Sequence, residues 1–211
     1  MKYNAEYIKA QVIQWLLKGN LAFNPSQDAI GLEVLFSANK RKADVLILSK
    51  YLHALEIKGD FDNLKKLEWQ LRDYHKTFDK VSLVTTPKHL PKIYKLIRPS
   101  TGLIILSEKN LKVVRPAKRQ KRLSKSALLM FLSKNELTNL VKIAKYKGFS
   151  TGEVRKIVAR RLSLPEIRKA AYSPLKKSYS KLFRLFLNDI GDNIIYDEVR
   201  GLCGKIGKLH F

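Results

Sequence analysis

Between Ala43 and Lys58 the chain carries two short apolar segments around a polar turn, and this stretch restricts the fold more than any other. Ala43–Ser49 and Leu52–Lys58 have strand length and composition, and the turn Ser49-Lys50-Tyr51 joins them into a hairpin. Val45, Leu46, Ile47, Leu48, Leu55 and Ile57 make both strands apolar enough for a sheet interior. The same hairpin carries Asp44, Glu56 and Lys58, and a buried charge needs a partner or a metal. Alternate side chains of a strand share a face, so Glu56 and Lys58 point one way and Ile57 the other. If the turn has three residues, Leu48 stands opposite Leu52 and Asp44 opposite Glu56; a four-residue turn would offset the pair. Directly paired residues hold their Cβ atoms about 5 Å apart. Two carboxylates at that separation repel, and one takes up a proton unless a cation lies between them.

Hard oxygen donors without cysteine point to Mg²⁺ or Mn²⁺ rather than zinc. Lys58 would stand beside such an ion. In a phosphodiesterase its ammonium group orients the attacking water or stabilises the developing negative charge, while the metal acidifies its bound water. An amphipathic hairpin with a solvated charged face would carry the same three residues; the apolar neighbours argue for the buried alternative.

The surrounding pattern predicts an α/β fold with a mixed central sheet flanked by helices. A helix is expected over 4–18, with Ala5, Ile8, Val12, Trp15 and Leu16 at helical spacing, and a strand over 30–36. After the hairpin, a helix over 61–77 shows the stripe Phe61, Leu64, Leu67, Leu71, Tyr74 and Phe78, with Asp60 or Asp62 as its cap. Strands at 81–85, 103–106 and 111–114 follow, with a short helix near 89–98. The character changes near Pro116. The basic linker Lys118-Arg119-Gln120-Lys121-Arg122 leads into a purely helical region. That region contains three capping boxes, Ser133 with Glu136, Ser150 with Glu153 and Ser163 with Glu166, and Pro165 and Pro174 near expected helix starts. The expected division is therefore 1–117 and a basic helical domain over 118–211.

Charge narrows the function. Against 42 Lys and Arg stand 18 Asp and Glu, a formal net charge of +24. A field of that size attracts polyanions, and nucleic acid is the leading partner, ahead of an anionic membrane surface. The lone Cys203 cannot form a disulfide within the chain or a thiolate metal site. No apolar run approaches the ~18 residues of a membrane span, and the N-terminus lacks a signal-peptide run. A cytoplasmic protein with no membrane segment is expected.

Asp44, the Glu56-Ile57-Lys58 triplet and the helix that follows resemble the PD-(D/E)XK nuclease superfamily. Ala43 stands where the superfamily's name has proline. Arg41-Lys42-Ala43-Asp44 and the later Gly102-Leu103-Ile104-Ile105 resemble small bacterial members, including MmcB-like DNA-repair proteins. Gln70 and Tyr74, four apart on one helix face, are similar to the Gln-x-x-x-Tyr motif of RecB-type nucleases. The resemblance covers roughly residues 1–116. It implies a metal-dependent nuclease of the restriction-endonuclease-like fold, acting on DNA rather than RNA, alone, as a homodimer or with a protein partner. It implies a metal held by Asp44, Glu56, the Ile57 backbone carbonyl and Glu33. The catalytic set would be Asp44, Glu56, Lys58, Glu33 and Gln70, with Glu6 the rival to Glu33 as the additional acid. A catalytically silent DNA-binding module of the same fold is the alternative.

Other residues weigh less. Lys40, Arg41 and Lys42 precede Asp44 and are candidate phosphate contacts. Residues 136–146, 147–149 and 151–161 have helix-turn-helix proportions, and Arg155, Lys156, Arg160 and Arg161 on the second helix are candidate nucleic-acid contacts. His53, His75, His89 and His210 show no ligand spacing, and His53 alternates away from Glu56. Trp15 and Trp69 read as packing residues.

Overall fold

The computed structural model describes residues 2–36, 41–141, 148–191, 194 and 196–203. Its centre is one mixed six-stranded sheet in the order β1-β2-β3-β4-β5-β6. The strands are β1 (Ala29–Phe36), β2 (Arg41–Leu48), β3 (Leu52–Lys58), β4 (Lys80–Thr85), β5 (Gly102–Ser107) and β6 (Asn110–Arg115). β1, β2 and β3 pair antiparallel, β3, β4 and β5 parallel, and β5 and β6 antiparallel. The α/β class with flanking helices and a helical C-terminal region is thus the observed architecture. The hairpin has the register of a three-residue turn, with Leu48 opposite Leu52.

Helix α1 (Ala5–Leu17) is capped by Asn4, whose side chain accepts from the Tyr7 amide at 2.8 Å. Helix α2 (Leu67–Thr77) starts six residues later than the apolar spacing predicts. The reason lies in the two aspartates expected to cap it. Asp60 is buried and accepts from the Tyr3 amide at 2.7 Å and the Thr86 hydroxyl at 2.6 Å, while Asp62 accepts from the Gly59 amide at 2.7 Å. Asp60 ties the N-terminal segment to the end of β4, and Asp62 closes the turn that leaves β3. Phe61, at the head of the predicted stripe, is left 71% exposed. Helix α3 (Leu90–Leu96) follows a 3₁₀ turn over Pro87–His89.

Beyond the sheet come α4 (Lys125–Leu128), α5 (Lys134–Leu140), α6 (Thr151–Arg161), α7 (Leu164–Asp189) and α8 (Tyr196–Val199). All three expected capping boxes form, at the starts of α5, α6 and α7. Leu128, Leu129, Leu132, Leu137, Val154, Val158, Ile167 and Ala171 make a small core of their own. Helix α7 continues past it, and Tyr179, Phe183 and Phe186 join the main core under the sheet. Pro174 lies inside this helix rather than near its start, between the two buried stretches. A proline there forgoes one helical hydrogen bond, at a cost of about 3 kcal/mol, which the burial on either side offsets.

The seat of α7 on edge strand β1 depends on Gly31. A Cβ at that position would lie 2.6 Å from the Tyr179 ring and 2.9 Å from Val34. Gly31→Ala is therefore expected to destabilise the protein by about 1–3 kcal/mol through overpacking, seen as a lower urea midpoint at unchanged m. An unaltered midpoint would show that α7 is not seated there. Among the described residues no helix is long and apolar enough to cross a membrane.

Candidate active site

Glu33, Asp44 and Glu56 form a row across β1, β2 and β3. The β1–β2 ladder pairs Leu32 with Val45 and Val34 with Ala43, which leaves Glu33 opposite Asp44. Glu33 adopts φ 51°, a left-handed conformation rare for a non-glycine residue inside a strand. Such a distortion costs of order 1–3 kcal/mol and re-aims a side chain. Here it accompanies the turning of Glu33 toward α1, where its carboxylate pairs with the Lys9 ammonium. On the other side, the β2–β3 ladder ends at Val45 and Leu55. The Ile57 amide donates instead to Asp44 Oδ2 at 2.8 Å. A strand residue directs its N–H and C=O to the same side, so the Ile57 carbonyl also faces β2.

Asp44 and Glu56 lie close together, Glu56 buried and Asp44 partly so, and both titrate accordingly. Glu56 is 2% exposed, and burial, then the neighbouring Asp44, raises its pKa from the ordinary 4.5 to about 7. Asp44 is likewise raised, first by burial, although Lys9 and the Ile57 amide work against this. Lys58 Nζ donates to Glu56 Oε1 at 2.6 Å, and the Tyr74 hydroxyl donates to Glu56 Oε2. Tyr74 is held in place by edge-to-face contacts with Phe36 and Phe78, at 5.0 and 5.6 Å between ring centroids. The phenol stays protonated, its pKa raised by burial and by Glu56.

Lys9 is the member of the cluster that sequence reasoning misses. Its Nζ bonds Glu33 and lies 3.2 Å from Asp44 Oδ1, with the side chain almost fully buried. Burial disfavours its charge, yet Asp44 and Glu33 more than offset this and raise its pKa. The signal was available: Lys9 falls among Ile8, Val12, Ile13 and Leu16, the buried face of α1, and a lysine there needs an acid.

Gln70 lies half-buried one turn before Tyr74, with no hydrogen bond to its side-chain amide among the described residues. Glu6 is exposed, so of the two rival acids only Glu33 joins the cluster. Arg41 pairs with Asp73 at 3.1 Å and Lys42 approaches Glu33 at 3.8 Å, while Lys40 lies outside the described residues. In the helical region Lys156, Arg160 and Arg161 are exposed. Arg155 is turned inward, its Nε donating to the Leu129 carbonyl at 3.2 Å. Of the helix-turn-helix expected over 136–161, residues 142–147 lie outside the described residues. His53, His75 and His89 are buried and bonded to Ser82, Thr101 and the Gly59 carbonyl; His210 lies outside the described residues. Trp69 is not a packing residue: it is 60% exposed, with the Arg72 guanidinium 4.2 Å from its ring centroid.

Does the cluster fit a divalent cation? Among the described residues no group of three or more His, Cys, Asp and Glu side chains is placed to hold one. The narrower set of Asp44, Glu56 and the Ile57 carbonyl does fit by chemistry, being hard oxygen donors. The mutual repulsion of the two acids is what such an ion relieves.

The raised Glu56 pKa makes a stability prediction. A carboxyl whose folded pKa lies above its unfolded value adds stability that is full below about 4.5 and lost as pH rises through about 7. His53 and His75, lowered to about 3 and 4 by burial, run the opposite way, losing stability as pH falls below the ordinary 6.5. The test is therefore a difference. Relative to wild type, metal-free Glu56→Gln should gain stability between pH 4.5 and 7.5, on the order of 3 kcal/mol. Urea unfolding across that range reads it, and a pH-independent difference would show that Glu56 ionises normally.

Fold and site together define a mixed-sheet α/β protein with a partly buried row of acids closed by two lysines at the antiparallel end of the sheet. The chain belongs to the family of bacteriophage P4 protein cII, whose family pattern it matches over residues 2–200. Protein cII of Enterobacteria phage P4 is 30% identical over 195 residues, covering 88% of this chain and 72% of the phage protein. SPO1766, a solved protein of unknown function from Silicibacter pomeroyi, covers 79% of this chain and 96% of its own at 17% identity. The two superpose with a TM-score of 0.43.

Proposed function

We propose that this protein is a metal-dependent nuclease of the PD-(D/E)XK type, hydrolysing phosphodiester bonds in nucleic acid. The observation that carries this reading is the convergence of Asp44, Glu56 and Lys58 on one buried cluster, with a three-residue register that aligns the two acids. Asp44, Glu56 and the Ile57 carbonyl would hold Mg²⁺ or Mn²⁺, with Glu33 beside them. Such an ion, when bound, neutralises charge on the phosphate and acidifies water. Tyr74 fixes one oxygen of Glu56 and so sets the orientation of the other. The Lys58 ammonium, anchored to Glu56, is available to stabilise charge that develops on the phosphoryl oxygens. Gln70, one turn from Tyr74 and without a hydrogen bond to its side-chain amide among the described residues, would contact water or substrate. DNA is preferred on family resemblance, the helical region adds binding through the exposed Lys156, Arg160 and Arg161 of α6, and the cytoplasm is the compartment.

Lys9 favours a second reading, a DNA-binding module of the same fold without turnover. Its ammonium already pairs with both Glu33 and Asp44. Branched, single-stranded and duplex DNA incubated with Mg²⁺ or Mn²⁺, beside Asp44→Asn, separates the two. Metal-dependent cleavage lost in Asp44→Asn is expected. Binding without cleavage of any substrate would establish the silent module instead.

A further inference from the structure

At the opposite end of β3 from Lys58, four cations crowd one aromatic ring. Lys50, Lys80, Arg119 and Arg168 stand 5.7, 5.7, 4.6 and 5.5 Å from the Tyr51 ring centroid. They come from four parts of the chain: the hairpin turn, the start of β4, the basic linker and α7. Among the described residues, of these four only Arg168 is neutralised, by Asp79 at 2.9 Å. Asp79 is itself buried and also accepts from the Leu52 amide at 3.0 Å. Among the described residues no carboxylate pairs with Lys50, Lys80 or Arg119.

No two of these charges are separated by more than twice their distance to the ring, comparable to the screening length of ~8–10 Å at ordinary salt. Cation–π attraction to one tyrosine, worth about 0.5–2 kcal/mol per contact, gathers them but cannot neutralise them. The field is felt inside the sheet: after burial, Lys80 is the next cause of the depressed pKa of His53. Lys118, Lys121 and Arg122 of the linker are exposed alongside. An anion relieves this repulsion, and repeated anions suit a patch assembled from several elements better than a single small one.

We propose that the nest around Tyr51 is a phosphate-gripping site for a nucleic-acid backbone, distinct from the acid cluster. Lys50, Lys80 and Arg119 carry the contacts, and the Arg168–Asp79 pair fixes the frame. Seven residue steps separate Tyr51 from Lys58, roughly 23 Å at ~3.3 Å per residue. Resting on the proposed nuclease site, a substrate gripped here as well would be held away from the point of cleavage. The binding claim does not need that site.

The test measures binding of the full chain to a labelled 30-pair duplex without metal, over about 50–200 mM salt. One variant carries Lys50→Ala, Lys80→Ala and Arg119→Ala; a control removes equal charge from exposed α7 positions with Lys177→Ala, Lys181→Ala and Arg184→Ala. Each phosphate contact contributes about 0.9 to the slope of log K against log salt. The nest variant should flatten the slope by about two to three units, and the control by less than one. Equal flattening in both, or none in the nest variant, overturns the proposal. So does wild-type protein that binds anionic vesicles and not the duplex. Loss of cleavage with this binding pattern intact would count against the nuclease reading alone.

Discussion

Replacing Lys58 with alanine is expected to leave the fold in place and to slow phosphodiester cleavage by about 10²–10³-fold, the usual worth of a preorganised group that stabilises developing charge. The fold should survive because Glu56 has another way to lose its charge. With a pKa already near 7, it takes up a proton when its lysine is removed, and the Tyr74 hydroxyl remains beside it. Nucleic-acid binding should change little, since one cation of 42 is lost. A purely structural Lys58 predicts the reverse: a lowered melting temperature without Mg²⁺, full recovery with it, and an unchanged cleavage rate. Melting curves with and without Mg²⁺, run beside single-turnover cleavage, distinguish the two. Wild-type cleavage by Lys58→Ala would remove it from the chemistry.

The hairpin was legible because two constraints acted on the same residues. Apolar composition marked Ala43–Lys58 as interior strands, and the short turn left few registers, so the placement of Asp44 near Glu56 followed from counting. The capping boxes were legible for a similar reason, since serine and glutamate three apart make a self-contained local structure. The start of α2 was not legible. Its apolar spacing from Phe61 onward is genuine, but Asp60 is committed to the distant Tyr3 and Thr86 and Asp62 to a turn at Gly59, and periodicity registers neither. Pro174 failed likewise: proline marks a helix start locally, whereas burial on both sides holds α7 together across it. The nest around Tyr51 draws on residues from 50 to 168, so only the fold could assemble it.

Lys9 offers the sharpest separation of the two functional readings. Lys9→Met keeps the apolar stem and removes the ammonium that faces Glu33 and Asp44. Without metal, two acids are then left with too little positive charge, and Asp44 has only the Ile57 amide and more distant lysines. Removing one partner from a buried pair costs about 3–5 kcal/mol; Glu33 is partly open to water, so a loss of about 3 kcal/mol is expected here. If the acids are built for a divalent cation, Mg²⁺ should restore the lost stability, and the variant should bind Mg²⁺ more tightly than wild type because the ion no longer competes with a resident ammonium group. Titration calorimetry and melting curves report both effects without reference to cleavage. If instead Lys9 is the permanent counter-ion of a silent module, Mg²⁺ leaves the variant as unstable as before and wild type binds none. Rescue by Mg²⁺ together with a cleavage rate still below wild type would give Lys9 a further part, positioning Asp44 during the reaction.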